Sequence, residues 1–422
     1  MFDETGRQYI DACSGAIAAN LGHGLEEIAR AGYDQAVKIA FAYRSQFRNG
    51  PAEKLAQRLV SIAPENLSRV YFVNSGSEAT EFALRIALQY WQTQKANRKR
   101  HFLSRKISYH GMTLGALGVS GHFQRRRGYD DLLWASPQVA ASYCYRCPFG
   151  KNPKGCELEC AQDLERAILE VGPENVAAFI AEPIVGAAGA AIVPQQEYFR
   201  TVREICNRYD VLLIIDEVLT GLGRTGQWLA IQDFGVSPDL LLLGKGLGAG
   251  YTPIGAVLMS EEIASTLDET SGAAIFGHTY GGNPQSAATA LAVMEFVEKH
   301  DLIEEVQRLG FIFETLLRDI AQHHPIVGEV RGKGFLWGIE LVADQRSKTP
   351  FDGLLGVTND LTKIAFDAGL LVYPCRFQAD ILGDAIMVAP PFVSSEKNLR
   401  EIADKLNACL DTLEAKLFAT RT

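Results

Sequence analysis

The sequence lacks any apolar run approaching the length of a bilayer span, any basic-then-apolar leader, and any excess of positive charge. The first absence leaves no candidate for a membrane-crossing helix. At the start, MFDETGRQYIDACSG places Asp3 and Glu4 where a signal peptide needs basic residues and then an apolar core. A net charge of −9 argues against nucleic acid or an anionic membrane as the main partner. No internal repeat and no low-complexity linker interrupts the chain. The expected compartment is the cytoplasm, where the eight cysteines would be mostly reduced.

What is present is a long, ordinary globular composition. At 422 residues, 47% hydrophobic and 22% charged, the chain suits a large α/β domain plus a smaller one. RVYFVN (69–74), VAAFIAEP (176–183), VLLIIDEV (211–218) and PDLLLLGK (238–245) read as buried strands, each followed by turn or helix signals. Strands alternating with helices predict a doubly wound, mostly parallel sheet. After about residue 300 the texture changes. A helix over 302–322, a hairpin or edge strand at 330–342, short strands at 370–373 and 385–388, and a helix from Ser395 predict a smaller α+β domain. The expected division is an N-terminal segment 1–45 packing with the small domain, a large domain 46–300, and a C-terminal small domain 301–422.

One apolar strand, Leu240 to Leu243, ends at Lys245, set between Gly244 and Gly246. Buried lysines are costly unless paired or chemically used. The strand before it ends in Asp216, where ligands bind in open α/β sheets. A lysine that forms an imine and an aspartate that keeps a pyridine nitrogen protonated are the minimum set for pyridoxal phosphate chemistry.

Other residues fit the same reading, each with a plainer alternative. Ser75-Gly76-Ser77 joins a strand to a helix and can cradle phosphate, or it is a turn with Ser77 as the N-cap. It lacks the GxGxxG pattern of a dinucleotide site. Tyr109 and His110 on a Gly-bounded loop can stack on a planar ring, or simply pack. Val218 can cover the other ring face or serve the core. Glu182 can orient the cofactor or end its strand in a salt bridge. Thr279 can bind phosphate or close a turn. Cys144, Cys147, Cys156 and Cys160 form a CxxC…CxxxC pattern that can enclose a structural zinc, pair as disulfides, or remain thiols.

Taken together, VNSGSEATEFALRIA, SYHGMTLGA, AFIAEPIVGAAG, VLLIIDEVLTGLGRTG, PDLLLLGKGLGAGYTPIGAV, HTYGGNPQSAATAL, VRGKGFLWGIEL and APPF resemble the class III (ω-) aminotransferases. These are pyridoxal phosphate enzymes of fold type I. The motifs stand in family order over residues from about 7 to 400. The resemblance implies that Lys245 carries the cofactor and shuttles the proton. It implies that Asp216 holds the ring nitrogen, and that Tyr109 and Val218 flank the ring. Ser75, Gly76 and Ser77 would bind its phosphate. Glu182 would lie on the substrate side, and Thr279 would reach the neighbouring subunit's phosphate in a homodimer.

Two departures shape the expected substrate. Members of the family carry a few dozen more residues before the segment matching FDETGRQYIDACSG, so either a more open pocket is expected or this start is not the natural one. Members that handle dicarboxylates carry an arginine two residues before Ala-Pro-Pro, where this chain has Met387. Without that bidentate partner, pyruvate is expected as acceptor rather than 2-oxoglutarate. Arg376, expected on a loop, is the candidate for the mobile arginine of pyruvate-using members, or else a structural loop arginine. The expected activity is amino transfer from a primary amine or ω-amino compound to pyruvate. Racemisation or epimerisation on the same fold, and a catalytically silent zinc-binding interaction protein, are the alternatives.

Overall fold

The computed structural model describes residues 1–134, 136–269, 277–378 and 382–419. At its centre is a seven-stranded sheet. From edge to edge its strands are Leu67–Val73, Gly255–Ser260, Leu240–Leu243, Leu212–Asp216, Val176–Ala181, His101–Arg105 and Gln138–Val139. All run parallel except Gly255–Ser260, which is antiparallel to both neighbours. Helices cover both faces, so the central strands are buried throughout. The two-residue period then sorts side chains into separate cores. Leu213, Ile215, Leu241 and Leu243 enter one; Leu212, Ile214, Leu240 and Leu242 enter the other.

Three of these strands go beyond those read from sequence: His101–Arg105, Gln138–Val139 and Gly255–Ser260. In His101–Arg105 the apolar pattern is interrupted by Arg105, which is nevertheless fully buried. Gly255–Ser260 follows so closely on a glycine-rich turn that its short apolar run merges with it. Helices Glu26–Lys38, Gly50–Ile62 and Glu159–Val171 complete the layers.

A second sheet is antiparallel, ordered Tyr373–Gln378, Leu382–Val388, Leu336–Leu341, Val327–Lys333. The last two form a hairpin. Helices Leu302–His323, Val357–Asp367 and Glu396–Ala419 pack with it. The N-terminal segment joins this layer: Ile10–Asp11 pairs with Leu370–Leu371, and Ala12, Leu21 and Ile28 share a core with Leu399, Leu406 and Leu413. No helix among the described residues is long and apolar enough to cross a membrane.

This topology places the site. Five parallel strands end on one edge of the large sheet. Just beyond those ends come Ser75, Tyr109, Glu182, Asp216 and Lys245.

Candidate active site

A cavity of about 150 Å³ opens at that edge, lined by Ser75, Gly76, Ser77, Tyr109, His110, Gly111, Glu182, Ala187, Asp216, Val218, Leu219 and Lys245. Nine residues singled out from sequence therefore converge from five separate strand ends.

Lys245 follows its strand with φ of +39°, a left-handed conformation that costs energy for any residue with a Cβ. The glycines on either side let the chain take it. The ammonium is enclosed by protein although the residue opens onto the cavity. Burial lowers its pKa to about 8, against the opposing pull of Asp216 and Glu182. The lysine is thus kept near the point where it can both give and take a proton.

Asp216 is 4% exposed and doubly held. Its Oδ2 lies 2.7 Å from His110 Nδ1, and its Oδ1 accepts the Val218 amide at 3.0 Å. His110 is itself pinned. Its amide donates to Ser120 Oγ at 2.8 Å, and its carbonyl accepts from Thr80 Oγ1 at 2.7 Å. The sequence reading placed His110 beside the cofactor as half of an aromatic pair. The structure gives its ring a further task, that of fixing the aspartate. Glu182, buried on the same edge, has its carboxyl pKa raised, first by desolvation. Arg105 lies 3.6 Å from it, and the Gly186 amide donates to it at 3.3 Å.

The phosphate-type turn differs in one detail from expectation. Ser75, not Ser77, is the N-cap: its Oγ accepts the Glu78 amide at 3.2 Å, and the helix is Gly76–Thr93. The helix begins early because Gly76 can lie flat against the sheet edge. A Cβ there would sit 2.7 Å from Val218 Cγ1. Ser77 instead accepts the Met112 amide at 3.0 Å, tying the turn to the Tyr109 loop. The first amides of this helix have no intrahelical acceptor and point out of its N-terminus. They fit a phosphate. Val218 and Tyr109 line the same cavity, which suits a flat ring between them.

Thr279 is exposed, on a turn beside Tyr280. Met387 is fully buried in strand Leu382–Val388, opposite Tyr373. It packs in a cluster that includes Tyr109, Leu219 and Tyr373 and so backs the cavity rather than lining it.

Arg376 calls for a correction. It stands on strand Tyr373–Gln378, not on a loop. The strand's alternation turns Tyr373 and Cys375 toward the site, where Cys375 Sγ donates to Ala187 O at 3.1 Å. Arg376 faces the other way. It pairs with Asp384 at 3.6 Å and donates to Gly353 O at 3.2 Å.

The four cysteines of residues 144–160 face one cavity of about 20 Å³. Burial and the neighbouring thiols raise the Cys160 pKa to about 12 and the Cys144 pKa as well. Gln195 Nε2 donates to Cys156 Sγ at 2.8 Å. The thiols do not close to ligand spacing. Among the described residues, the group of three whose ligand atoms lie within 4.8 Å of one another is His324, Asp411 and Glu414.

Sequence reading missed Arg224 and Asn20. Arg224 is fully buried and donates to Asn20 Oδ1 (2.7 Å), Ser14 Oγ (3.2 Å), Pro390 O (2.7 Å) and Phe335 O (3.2 Å). Asn20 packs so closely on the lysine turn that a Cβ on Gly246 would lie 2.3 Å from its Nδ2. This bolt joins N-terminal segment, lysine turn and C-terminal loop. Its signal was the pair NLGHG and TGLGRTG, whose partnership shows only in space.

Comparison with known proteins agrees with this geometry. The family model described as aminotransferase class-III matches residues 1–410. A taurine–pyruvate aminotransferase of Bilophila wadsworthia is 35% identical over 419 residues, covering 98% of this chain and 91% of that protein. A putrescine–pyruvate aminotransferase of Pseudomonas aeruginosa is 34% identical over 422 residues, covering 99% and 90%. Among solved structures, a PLP-bound amine transaminase from an uncultivated Pseudomonas species superposes with a TM-score of 0.92 at 33% identity, covering 98% of this chain and 92% of that one.

Proposed function

The chain belongs to the class-III aminotransferases, and from that premise we propose that it moves an amino group from a primary amine or ω-amino compound to pyruvate, giving alanine. Its fold is that of the fold type I enzymes, and the family implies pyridoxal phosphate. The observation that carries the reading is the convergence of Lys245, Asp216, Tyr109 and the Ser75–Ser77 turn on one cavity.

When bound, the cofactor supplies a carbonyl for the amine and a ring that draws electrons from the carbon being deprotonated. The chain supplies the rest. Lys245 Nζ would hold the cofactor and would be the group that moves the proton. With a pKa of about 8, roughly a tenth of it is neutral at pH 7, and little energy separates its two states. The Asp216 carboxylate, oriented by His110 and the Val218 amide, holds a proton on the ring nitrogen. The Gly76 helix N-terminus holds the phosphate. Tyr109 and Val218 would flank the ring, and Glu182 would border the substrate side.

Pyruvate as acceptor is supported by Met387, which offers no guanidinium for a second carboxylate, and by the two relatives above. Their donors differ, one a sulfonate and one a diamine, while their acceptor is the same. A panel of amines offered with pyruvate and with 2-oxoglutarate tests this. Alanine should form at least about tenfold faster than glutamate. Faster glutamate formation overturns the choice of acceptor. Loss of chirality in an amino acid without alanine would point to a racemase instead.

A homodimer is supported by exposed Met112 and Leu114, which follow the Tyr109–His110 loop, and by exposed Phe41 and Tyr280, whose rings lie 5.8 Å apart next to exposed Thr279. Light scattering should give twice the 46.2 kDa chain mass; a monomer that retains full activity contradicts a shared site.

A structural zinc at Cys144, Cys147, Cys156 and Cys160 is supported by four thiols around one ion-sized cavity. It requires the sulfurs to draw together, since Zn–S bonds are about 2.3 Å. Elemental analysis should find one zinc per chain, lost when Cys144 and Cys147 are both replaced by serine. Metal-free wild-type protein of full stability removes the proposal.

A further inference from the structure

We propose that Arg125 binds the carboxylate of the keto acid acceptor. The inference rests on the transaminase reading and assigns within it a residue that neither the sequence motifs nor the expected Arg376 supplies.

Arg125 lies on the short helix Phe123–Arg126, between the large sheet and the C-terminal one. Its guanidinium carbon is 4.5 Å from the centroid of the Tyr109 ring. Nη1 donates to Tyr109 Oη at 3.3 Å and Nη2 to Tyr373 Oη at 3.4 Å. Tyr109 lines the catalytic cavity with Lys245. The charge reaches that far, because Arg125 is among the cations that press the Lys245 pKa down.

What sets this arginine apart is its missing counter-ion. The other shielded arginines mostly have one: Arg105 has Glu182, Arg146 and Arg331 share Glu340, Arg203 has Asp239, and Arg376 has Asp384. Arg224 has none, but four hydrogen bonds satisfy it. Among the described residues Arg125 has no carboxylate within ion-pair distance. Its two contacts are long and go to neutral hydroxyls, which leaves donors of the five-donor fork unused. A half-buried guanidinium without an anion is poorly stabilised by the protein alone. An incoming carboxylate would take two of the three remaining donors in a charge-assisted pair.

The chemistry of the acceptor matches this place. In a 2-keto acid the carboxylate is bonded to the carbonyl carbon that receives the amine. Its binding cation must therefore stand beside the ring-stacking tyrosine and within electrostatic reach of Lys245. Arg125 does, and Arg376 faces away. His122, close by, does not compete. Burial and then Arg125 itself hold its pKa at about 4, so it is neutral at working pH. An amine donor without an acidic group needs no such cation, and that asymmetry makes the proposal testable.

The test uses holoenzyme and its two half-reactions. Wild type, Arg125→Met and Arg125→Lys are converted to the aminated form with an uncharged amine, then challenged with pyruvate or with a simple aldehyde. For Arg125→Met, the KM for pyruvate should rise roughly 10- to 100-fold, the loss of a charge-assisted pair. The amine half-reaction and the aldehyde should change less than about threefold. Arg125→Lys, which keeps charge but not the fork, should fall between. If pyruvate and aldehyde fall together, Arg125 is only a brace between Tyr109 and Tyr373, and the proposal fails. An unchanged KM for pyruvate also overturns it. If wild type itself yields no alanine from pyruvate, the choice of acceptor has failed instead, and the control shows this separately.

Discussion

Lys245→Ala should reduce turnover by at least about 10⁴-fold, the upper range for a single acid–base group, because the same side chain both holds the cofactor and moves the proton. Both tasks need an amine at the end of the Leu240–Leu243 strand, and among the described residues no other lysine lines the cavity. The fold should survive, since removing a costly enclosed ammonium relieves desolvation. Steady-state assay together with thermal unfolding checks both halves of the expectation. The same lysine predicts a pH dependence. Its pKa is lowered to about 8, and the neutral amine is the nucleophile. Uptake of pyridoxal phosphate by cofactor-free protein should thus rise about tenfold per pH unit below 8 and level off above it. An unperturbed lysine would keep rising to about pH 10. Normal turnover by the alanine variant would remove Lys245 from the chemistry.

Asp216→Ala is the second large effect, expected at about 10²- to 10³-fold in turnover, the scale for losing one preorganised electrostatic contact. The carboxylate is buried, and two donors already aim it, so no reorganisation is needed when charge develops on the ring. Removing His110 instead should leave the charge but loosen its aim. His110→Ala is therefore expected to cost less than Asp216→Ala, about 10-fold, and to add little on top of it, because the two act as a unit. Full additivity in the double variant would show that His110 serves something other than the aspartate. Comparing the three variants for cofactor affinity as well as turnover separates binding from chemistry.

The parts of this site that were legible in the sequence are those built by one chain segment. A buried run ending in Lys245 or Asp216, or a strand passing through Ser75-Gly76-Ser77 into a helix, carries its own position. Strand alternation on an open parallel sheet then brings such ends to one edge. Residues defined by a partner far along the chain were not legible. Arg224 looks like any loop arginine until Asn20, Phe335 and Pro390 surround it. Arg376 and Arg125 illustrate the same limit from two sides. The resemblance to members with a mobile arginine upstream of Ala-Pro-Pro recommended Arg376, but a two-residue period decides which face a strand residue occupies, and Asp384 lies opposite it. Arg125 is the first of three consecutive arginines, a run that matches none of the motifs; only the tertiary fold shows that it lies on Tyr109. Ser77 was off by a smaller amount, two residues of helix start, which depend on whether Gly76 can press against Val218. The cysteine spacing was legible as a pattern, yet spacing alone does not fix how closely four sulfurs approach.

The most direct test of the central claim is to treat the holoenzyme with borohydride, digest it, and locate the reduced phosphopyridoxyl group by mass spectrometry. The account predicts that it resides on the peptide containing PDLLLLGK, at Lys245. Finding it on another lysine, or on none while activity is intact, would contradict the assignment of this cavity as the catalytic site.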